Sequence, residues 1–229
     1  MTCVRPACAE VPQADPLPHV AQALAHGQPM RIVAFGSSST EGVGAGSPAA
    51  SYPSRLQVEL NARLGGGGAT VANRGIGGED VDDMMRRLPA IIAEHPDLVI
   101  WQTGTNDPLR GVELEHFTEL TRQGIEAMHA AGIDVMLMGP QLCRRMQETA
   151  GAMRFRDAVR SIGEATHVPV IHRYRMMQEW LARHMLTEVQ MLSPDGLHMA
   201  DGGYALLAKA VAHAILAGHH PGRAVTASK

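Results

Sequence analysis

The stretch Ile32-Val33-Ala34-Phe35-Gly36-Ser37-Ser38-Ser39-Thr40 decides how the rest of the chain is read. A short apolar run, rich in β-branched and aromatic residues, stops at a glycine and gives way to a hydroxyl-rich turn, as a buried strand does on entering a loop. If it is the first strand of an α/β domain, the turn lies outside a strand's carboxyl end, where open parallel sheets collect ligands. Ser38 is read there as a nucleophile. An aliphatic hydroxyl is chemically weak until a neighbouring base takes its proton. The reading therefore requires the chain to supply a base and donors for an oxyanion elsewhere.

Outward from this turn, residues 1–29 are Pro- and Ala-rich with one helical candidate at Pro18–Ala25. They read as an N-terminal extension packed on a domain spanning 30–218, with 219–229 a flexible tail. After the first strand, Gly42, Gly44 and Gly46 suggest a flexible loop, and Ser51-Tyr52-Pro53 opens a helix running to Leu64, with proline in the first turn where no donor is lost. The glycines at 65–68 end it. A second strand over 69–73 leads into Gly75-Ile76-Gly77-Gly78, and a helix then starts near Glu79 and Asp80, acids suited to its N-terminus. Pro89 is expected to kink or split that helix.

Residues 97–102 form a third strand running into Gly104-Thr105-Asn106-Asp107, followed by a helix over 112–131 with Leu114, Phe117, Leu120 and Ile125 on one face. Strands over 133–138 and 168–172 flank a helix at about 150–167. A helix over 176–185, the loop from Leu192 to His198 and a closing helix over 201–217 complete the chain. Continuous apolar strands alternating with helices imply a five-stranded parallel sheet covered on both faces. No internal repeat is found.

The 229 residues suffice for one α/β domain with a sizeable core. An apolar fraction of 45%, a charged fraction of 19% and a net charge of −3 fit a soluble globular protein and give no electrostatic reason to expect nucleic acid. No apolar segment approaches the roughly 20 residues that cross a bilayer, so stable membrane insertion is not expected. Cys3, Cys8 and Cys143 have no zinc-ligand spacing, and neither a metal nor a cofactor is expected. Cys8 and Cys143 are read as unpaired thiols in preference to a disulfide. Met1 to Pro6 lack the apolar core of a secretory signal. The compartment is left open: cytoplasmic, or periplasmic or secreted if a signal is missing from this chain. Oligomeric state has no signature in the sequence.

Three strand ends in succession carry polar or glycine-rich residues to one rim: Ser38, Gly78 and Asn106. Acyl transfer needs donors aimed at the negative oxygen of a tetrahedral intermediate, and a backbone N–H freed by glycine plus a side-chain amide can supply them. Asp195 and His198, three residues apart in the loop before the last helix, bring a carboxylate and an imidazole within reach of one another. The aspartate would hold the ring's tautomer while the histidine takes and returns the serine proton. Alone, Ser38 would be a turn residue, Asn106 a cap and Gly78 a backbone requirement. Their coincidence is what carries weight.

The blocks Gly36-Ser37-Ser38-Ser39-Thr40, Asn73-Arg74-Gly75-Ile76-Gly77-Gly78, Gly104-Thr105-Asn106-Asp107 and Asp195-Gly196-Leu197-His198 resemble, in order, those of an SGNH hydrolase of the GDSL esterase and lipase superfamily. The resemblance spans residues 30–217. It implies a flavodoxin-like three-layer α/β/α sandwich and a Ser38-His198-Asp195 triad. It also implies an oxyanion hole from the Ser38 and Gly78 N–H groups with the Asn106 side chain, and metal-independent ester hydrolysis. Within the second block Gly75, Gly77 and Gly78 are all candidates, and Gly78 is preferred because Glu79 follows it. The first block departs from the family's Gly-Asp-Ser: Ser37 replaces the acid, which is not a triad member.

The expected substrate is a small-molecule or carbohydrate ester with a short acyl group, acetylated carbohydrates first, with lysophospholipid or thioester hydrolysis as the runner-up. The low aromatic content, 3%, offers few stacking platforms for a long sugar chain. A catalytically silent ligand-binding module is the alternative of another class. An α/β-hydrolase elbow is excluded because Thr40 stands where Gly-x-Ser-x-Gly needs its second glycine. Gly42-Val43-Gly44-Ala45-Gly46 lacks the third glycine of a dinucleotide fingerprint, and there is no phosphate-binding Gly-Lys-Ser/Thr loop. The methionines at 84, 85, 136 and 138 read as core packing, Arg144 and Arg145 as solvated loop residues ahead of substrate-steering ones, and His219 and His220 as a solvated tail pair.

Overall fold

A computed structural model of the chain describes residues 16–64 and 68–217. Its elements in order are α1 (Pro18–Ala25), β1 (Met30–Gly36), α2 (Ser38–Glu41), a 3₁₀ turn (Pro48–Ala50), α3 (Tyr52–Arg63), β2 (Ala69–Gly75), α4 (Val81–Ile92), β3 (Leu98–Gln102), α5 (Asn106–Leu109), α6 (Leu114–Ala130), β4 (Asp134–Met138), α7 (Arg144–Glu148), α8 (Ala152–Thr166), β5 (Val170–Ile171), α9 (Arg173–Ala182), α10 (Glu188–Met191) and α11 (Asp201–Leu216). The five strands pair in parallel in the order β2-β1-β3-β4-β5. This is a doubly wound, flavodoxin-like order, and it bears out the five-stranded parallel sheet read from the pattern and the flavodoxin-like fold implied by the resemblance.

Because strand side chains alternate, each apolar strand builds two cores. Ile32, Ala34, Leu98, Ile100, Met136 and Met138 pack beneath α1, α3, α9 and α11. Val33, Phe35, Val99, Trp101, Val135 and Leu137 pack beneath α4, α6 and α8. Leu17, Val20 and Ala23 belong to the first of these cores, and Asp134 at the start of β4 accepts the Val20 N–H and the His19 ring at 2.9 Å each. The edge strand β2 is sealed by α3, where Asn61 and Gln57 accept the N–H groups of Ala69 and Val71 at 2.9 and 2.8 Å.

Several expectations are corrected in detail. Pro89 does not split α4, which runs unbroken to Ile92. Proline forfeits one backbone bond in the last turn, while Met84, Leu88 and Ile91 stay buried and Asp80 and Asp83 form a capping box at the other end. The fifth strand shortens to Val170–Ile171, and the helix after it begins at Arg173 rather than near 176. Short helices α5, α7 and α10 occupy what reads as loop; at four or five residues they are too short for a hydrophobic period to reveal. Met84, Met136 and Met138 are buried, and Arg144 is exposed and paired with Glu148 at 2.6 Å. Cys143 is buried; Cys3, Cys8, Gly65 to Gly67 and the residues from 218 onward lie outside the described residues. No helix among the described residues is long and apolar enough to cross a membrane.

Register is what positions the site. Gly36 pairs with Gly75 and Phe35 with Trp101, so β1, β2 and β3 end level with one another. The chain leaves β1 for β2 on one side and returns to β3 on the other, which opens a crevice at their carboxyl ends. Ser38 and Asn106 follow the two strands that flank it.

Candidate active site

Ser38 is the first residue of α2, after Ser37 in extended conformation. The N–H groups of Thr40 and Glu41 bond to the Ser37 carbonyl, and those of Gly42 and Val43 to that of Ser38. The Ser38 N–H, in the first turn of a helix, has no acceptor within that ladder. Space for the turn depends on two glycines. A Cβ at Gly75 would lie 2.0 Å from the Glu41 nitrogen, and one at Gly36 would lie 2.5 Å from Thr40 Oγ1.

The loop after α2 is pinned rather than free, contrary to its glycine-rich look. Gly42 and Gly44 have φ of 107° and 89°, a left-handed region that favours glycine. At Gly44 a Cβ would meet the Met199 carbonyl at 2.5 Å and His198 Cβ at 3.0 Å. The Val43 carbonyl accepts from Tyr204 Oη at 2.7 Å, and the Gly46 N–H donates to Asp201 Oδ1 at 2.7 Å. The loop is thereby fastened to the segment carrying His198.

His198 Nε2 lies 2.8 Å from Ser38 Oγ, and its Nδ1 lies 2.5 Å from Asp195 Oδ2. The remaining Asp195 oxygen accepts from Ser193 Oγ at 2.6 Å and from the N–H groups of Leu197 and His198 at 2.9 Å each. Burial acts to raise the Asp195 pKa, but the hydrogen bonds from Ser193, His198 and the backbone outweigh it and hold the carboxyl well below the usual carboxylate range. The carboxylate stays charged next to the imidazole.

Gly78 has φ of 78°, and its carbonyl accepts from Arg110 Nη1 at 3.0 Å. Arg110 is itself held by Asp80 at 3.0 Å and by Asp83. Neighbouring Gly77 passes close to the serine, where an added Cβ would lie 3.9 Å from Ser38 Cβ. Asn106 is buried, with Nδ2 donating to the Glu79 carbonyl at 2.8 Å, which joins the ends of β2 and β3. His198 is thus in direct contact with both Ser38 and Asp195, and Asn106 reaches the strand-end loop that holds Gly78.

Four residues given no role in the sequence reading support this rim. Gln102, the polar end of β3, accepts from Ser37 and Thr40. Asp107 accepts the N–H groups of Val81 at 2.8 Å and Gly104 at 3.1 Å, fastening α5 to the start of α4. Burial pushes its pKa up to about 6 against those two bonds, with Asp80 adding to the rise. Arg110 orients the Gly78 peptide. Gln141 Nε2 donates to the Leu197 carbonyl at 3.1 Å, while its Oε1 accepts from Thr105 Oγ1 at 3.2 Å and from the buried Arg173 at 2.6 Å. Only Gln102 had a visible signal, an amide closing an otherwise apolar strand.

A doubly wound parallel sheet with these four blocks on its carboxyl rim defines the SGNH hydrolase superfamily. The chain belongs to the Non-GDSL lipase-like family, whose model matches residues 2–221. It is 26% identical over 167 residues to an arylesterase of Vibrio mimicus, covering 72% of this chain and 78% of that protein. Among solved structures it resembles a lipase/acylhydrolase from Enterococcus faecalis, with a TM-score of 0.70 and 25% identity over 85% of this chain and 100% of that one. A mutant form of an acetylxylan esterase from Geobacillus stearothermophilus shares the fold with a TM-score of 0.69 and 23% identity, over 81% of this chain and 94% of that one. The chain is a carboxylic ester hydrolase.

Proposed function

We propose that this hydrolase is a serine esterase for short acyl esters, working through an acyl-enzyme. Ser38 Oγ attacks the ester carbonyl while His198 Nε2 takes its proton, and the imidazolium is stabilised by the ionised Asp195. The N–H groups of Ser38 and Gly78 and the Asn106 amide receive the oxyanion. Collapse of the tetrahedral intermediate expels the alcohol, which takes the proton back from His198. Water, deprotonated by the same histidine, then releases the acid and restores Ser38.

The observation that carries this reading is the continuous hydrogen-bonded chain from Ser38 Oγ through His198 to Asp195, at 2.8 and 2.5 Å. Three properties support it: the Asp195 charge, the freedom of the Ser38 N–H and the fixed Gly78 peptide. A short acyl group is supported by the modest apolar surface beside the turn. Val43 and Ile76, 38% and 46% exposed, bond through their N–H groups to the carbonyls of Ser38 and Gly36. The arylesterase and acetylxylan esterase relatives support aryl and acetylated carbohydrate esters as the first substrates to assay.

The test compares hydrolysis of aryl esters of increasing acyl length by the native chain and by Ser38→Ala. The proposal expects acetyl or another short ester to be preferred and the variant to be inactive. Equal rates for the two proteins would remove the triad. A preference for the longest chains would favour the lysophospholipase alternative.

A further inference from the structure

Ser37 stands where the superfamily pattern usually carries an aspartate, and the turn it belongs to is organised from β3. We propose that Gln102 is the positioning residue for the nucleophile turn, an inference that rests on the assignment of Ser38 as nucleophile. Gln102 is 1% exposed and ends a strand whose other residues are all apolar. Its Oε1 accepts from the Ser37 N–H at 2.9 Å, the Ser37 hydroxyl at 3.1 Å and the Thr40 hydroxyl at 3.1 Å. These donors bracket Ser38 on both sides. One carbonyl oxygen therefore sets where the first turn of α2 begins.

The arrangement is specific to an acceptor. A backbone N–H can only donate, so the amide oxygen must face Ser37. The amide nitrogen is left buried without a hydrogen-bond partner, an arrangement that lowers stability. Gly36 is what lets the side chain in, since a Cβ there would lie 2.8 Å from both Cβ and Oε1 of Gln102. Without the acceptor, three buried donors would lose their partner and the turn would move to find others. Ser38 Oγ and its N–H would move with it, and a shift of about 1 Å at reacting atoms costs on the order of 10²-fold in rate.

The test uses Gln102→Met, Gln102→Glu and Thr40→Val in the full chain, with aryl ester kinetics and the rate of Ser38 labelling by a fluorophosphonate, located by peptide mapping. Methionine keeps the length and removes the acceptor; glutamate offers an acceptor oxygen in either protonation state. Gln102→Met is expected to lose roughly 10- to 100-fold in kcat and in labelling rate, with KM changed less than about 3-fold. Gln102→Glu is expected to recover most of that loss, and Thr40→Val to fall between.

Native kcat and labelling in Gln102→Met, or Gln102→Glu as impaired as Gln102→Met, overturns the positioning role. Should the methionine variant fail to fold, Thr40→Val decides, because it removes one donor and keeps Gln102: an unchanged kcat overturns the proposal. Absence of label on Ser38 in the native chain would instead overturn the nucleophile assignment, and this inference with it.

Discussion

His198 Nε2 sits 2.8 Å from Ser38 Oγ although 160 residues separate them in the chain. The contact joins the end of the first strand to the loop before the last helix. It is kept by fastenings that contribute no reacting atom: Gly44 against Met199, Tyr204 on Val43 and Asp201 on Gly46. A base held in this way is placed by packing around it, which makes its position testable from a distance.

Gly44→Ala tests that placement. The added Cβ would meet the Met199 carbonyl at 2.5 Å in a backbone with φ of 89°, so the variant must move the loop or the His198 segment. We expect a destabilisation of about 1–2 kcal/mol from the left-handed conformation alone, read as a lower Tm, together with a fall in kcat. An unchanged kcat would show that His198 finds Ser38 without this approach.

Asp195→Asn removes the charge but keeps the shape. The amide cannot stabilise an imidazolium and favours the wrong tautomer of His198, so kcat for an aryl acetate should drop by about 10⁴-fold, with Tm measured in parallel. A loss below tenfold would take Asp195 out of the triad.

Asn106→Ala is expected to lower kcat by about 10²–10³, the loss for one oxyanion donor, with a smaller change in KM. The same variant removes the tie to the Glu79 carbonyl, so hydrogen exchange in the 75–80 segment should rise. Native kcat would remove the amide from the oxyanion site.

Asp107 gives a pH dependence of defined sign. Its carboxyl titrates near 6 in the folded chain against 3.8 as the ordinary value, so the folded state binds the proton more tightly. The stability it contributes is complete below about pH 4 and lost as pH rises through 6. Asp107→Asn cannot ionise, so its Tm relative to the native chain should improve between pH 4 and 7. A difference that is flat across that interval would contradict the burial of a titrating group. Asp195 acts in the opposite direction, because its folded pKa is lowered: its contribution is present above the ordinary carboxylate value and is lost only in strong acid.

The layered plan and the identity of the candidate groups are legible in the amino-acid pattern. Runs such as Ile32 to Phe35 and Leu98 to Trp101 are apolar on both faces, and only a sheet covered on both sides buries them. The breaks after the first three strands carry a hydroxyl, a glycine and an amide, so Ser38, Gly78 and Asn106 could be read as candidates from their coincidence along the chain.

The features that the pattern leaves open are non-local. Pro89 is a helix breaker by local propensity, yet burial of Leu88 and Ile91 outweighs one lost hydrogen bond. Asp107, Arg110 and Gln141 look like ordinary polar residues until the fold sets them against Val81, Gly78 and Leu197, and Gln102, visible in sequence only as an amide closing an apolar strand, acquires its role when register sets it against Ser37. The meeting of Ser38 with His198 is of the same kind. Strand pairing and glycine-sized gaps govern which distant atoms share a hydrogen bond, and neither is encoded in any short stretch of chain.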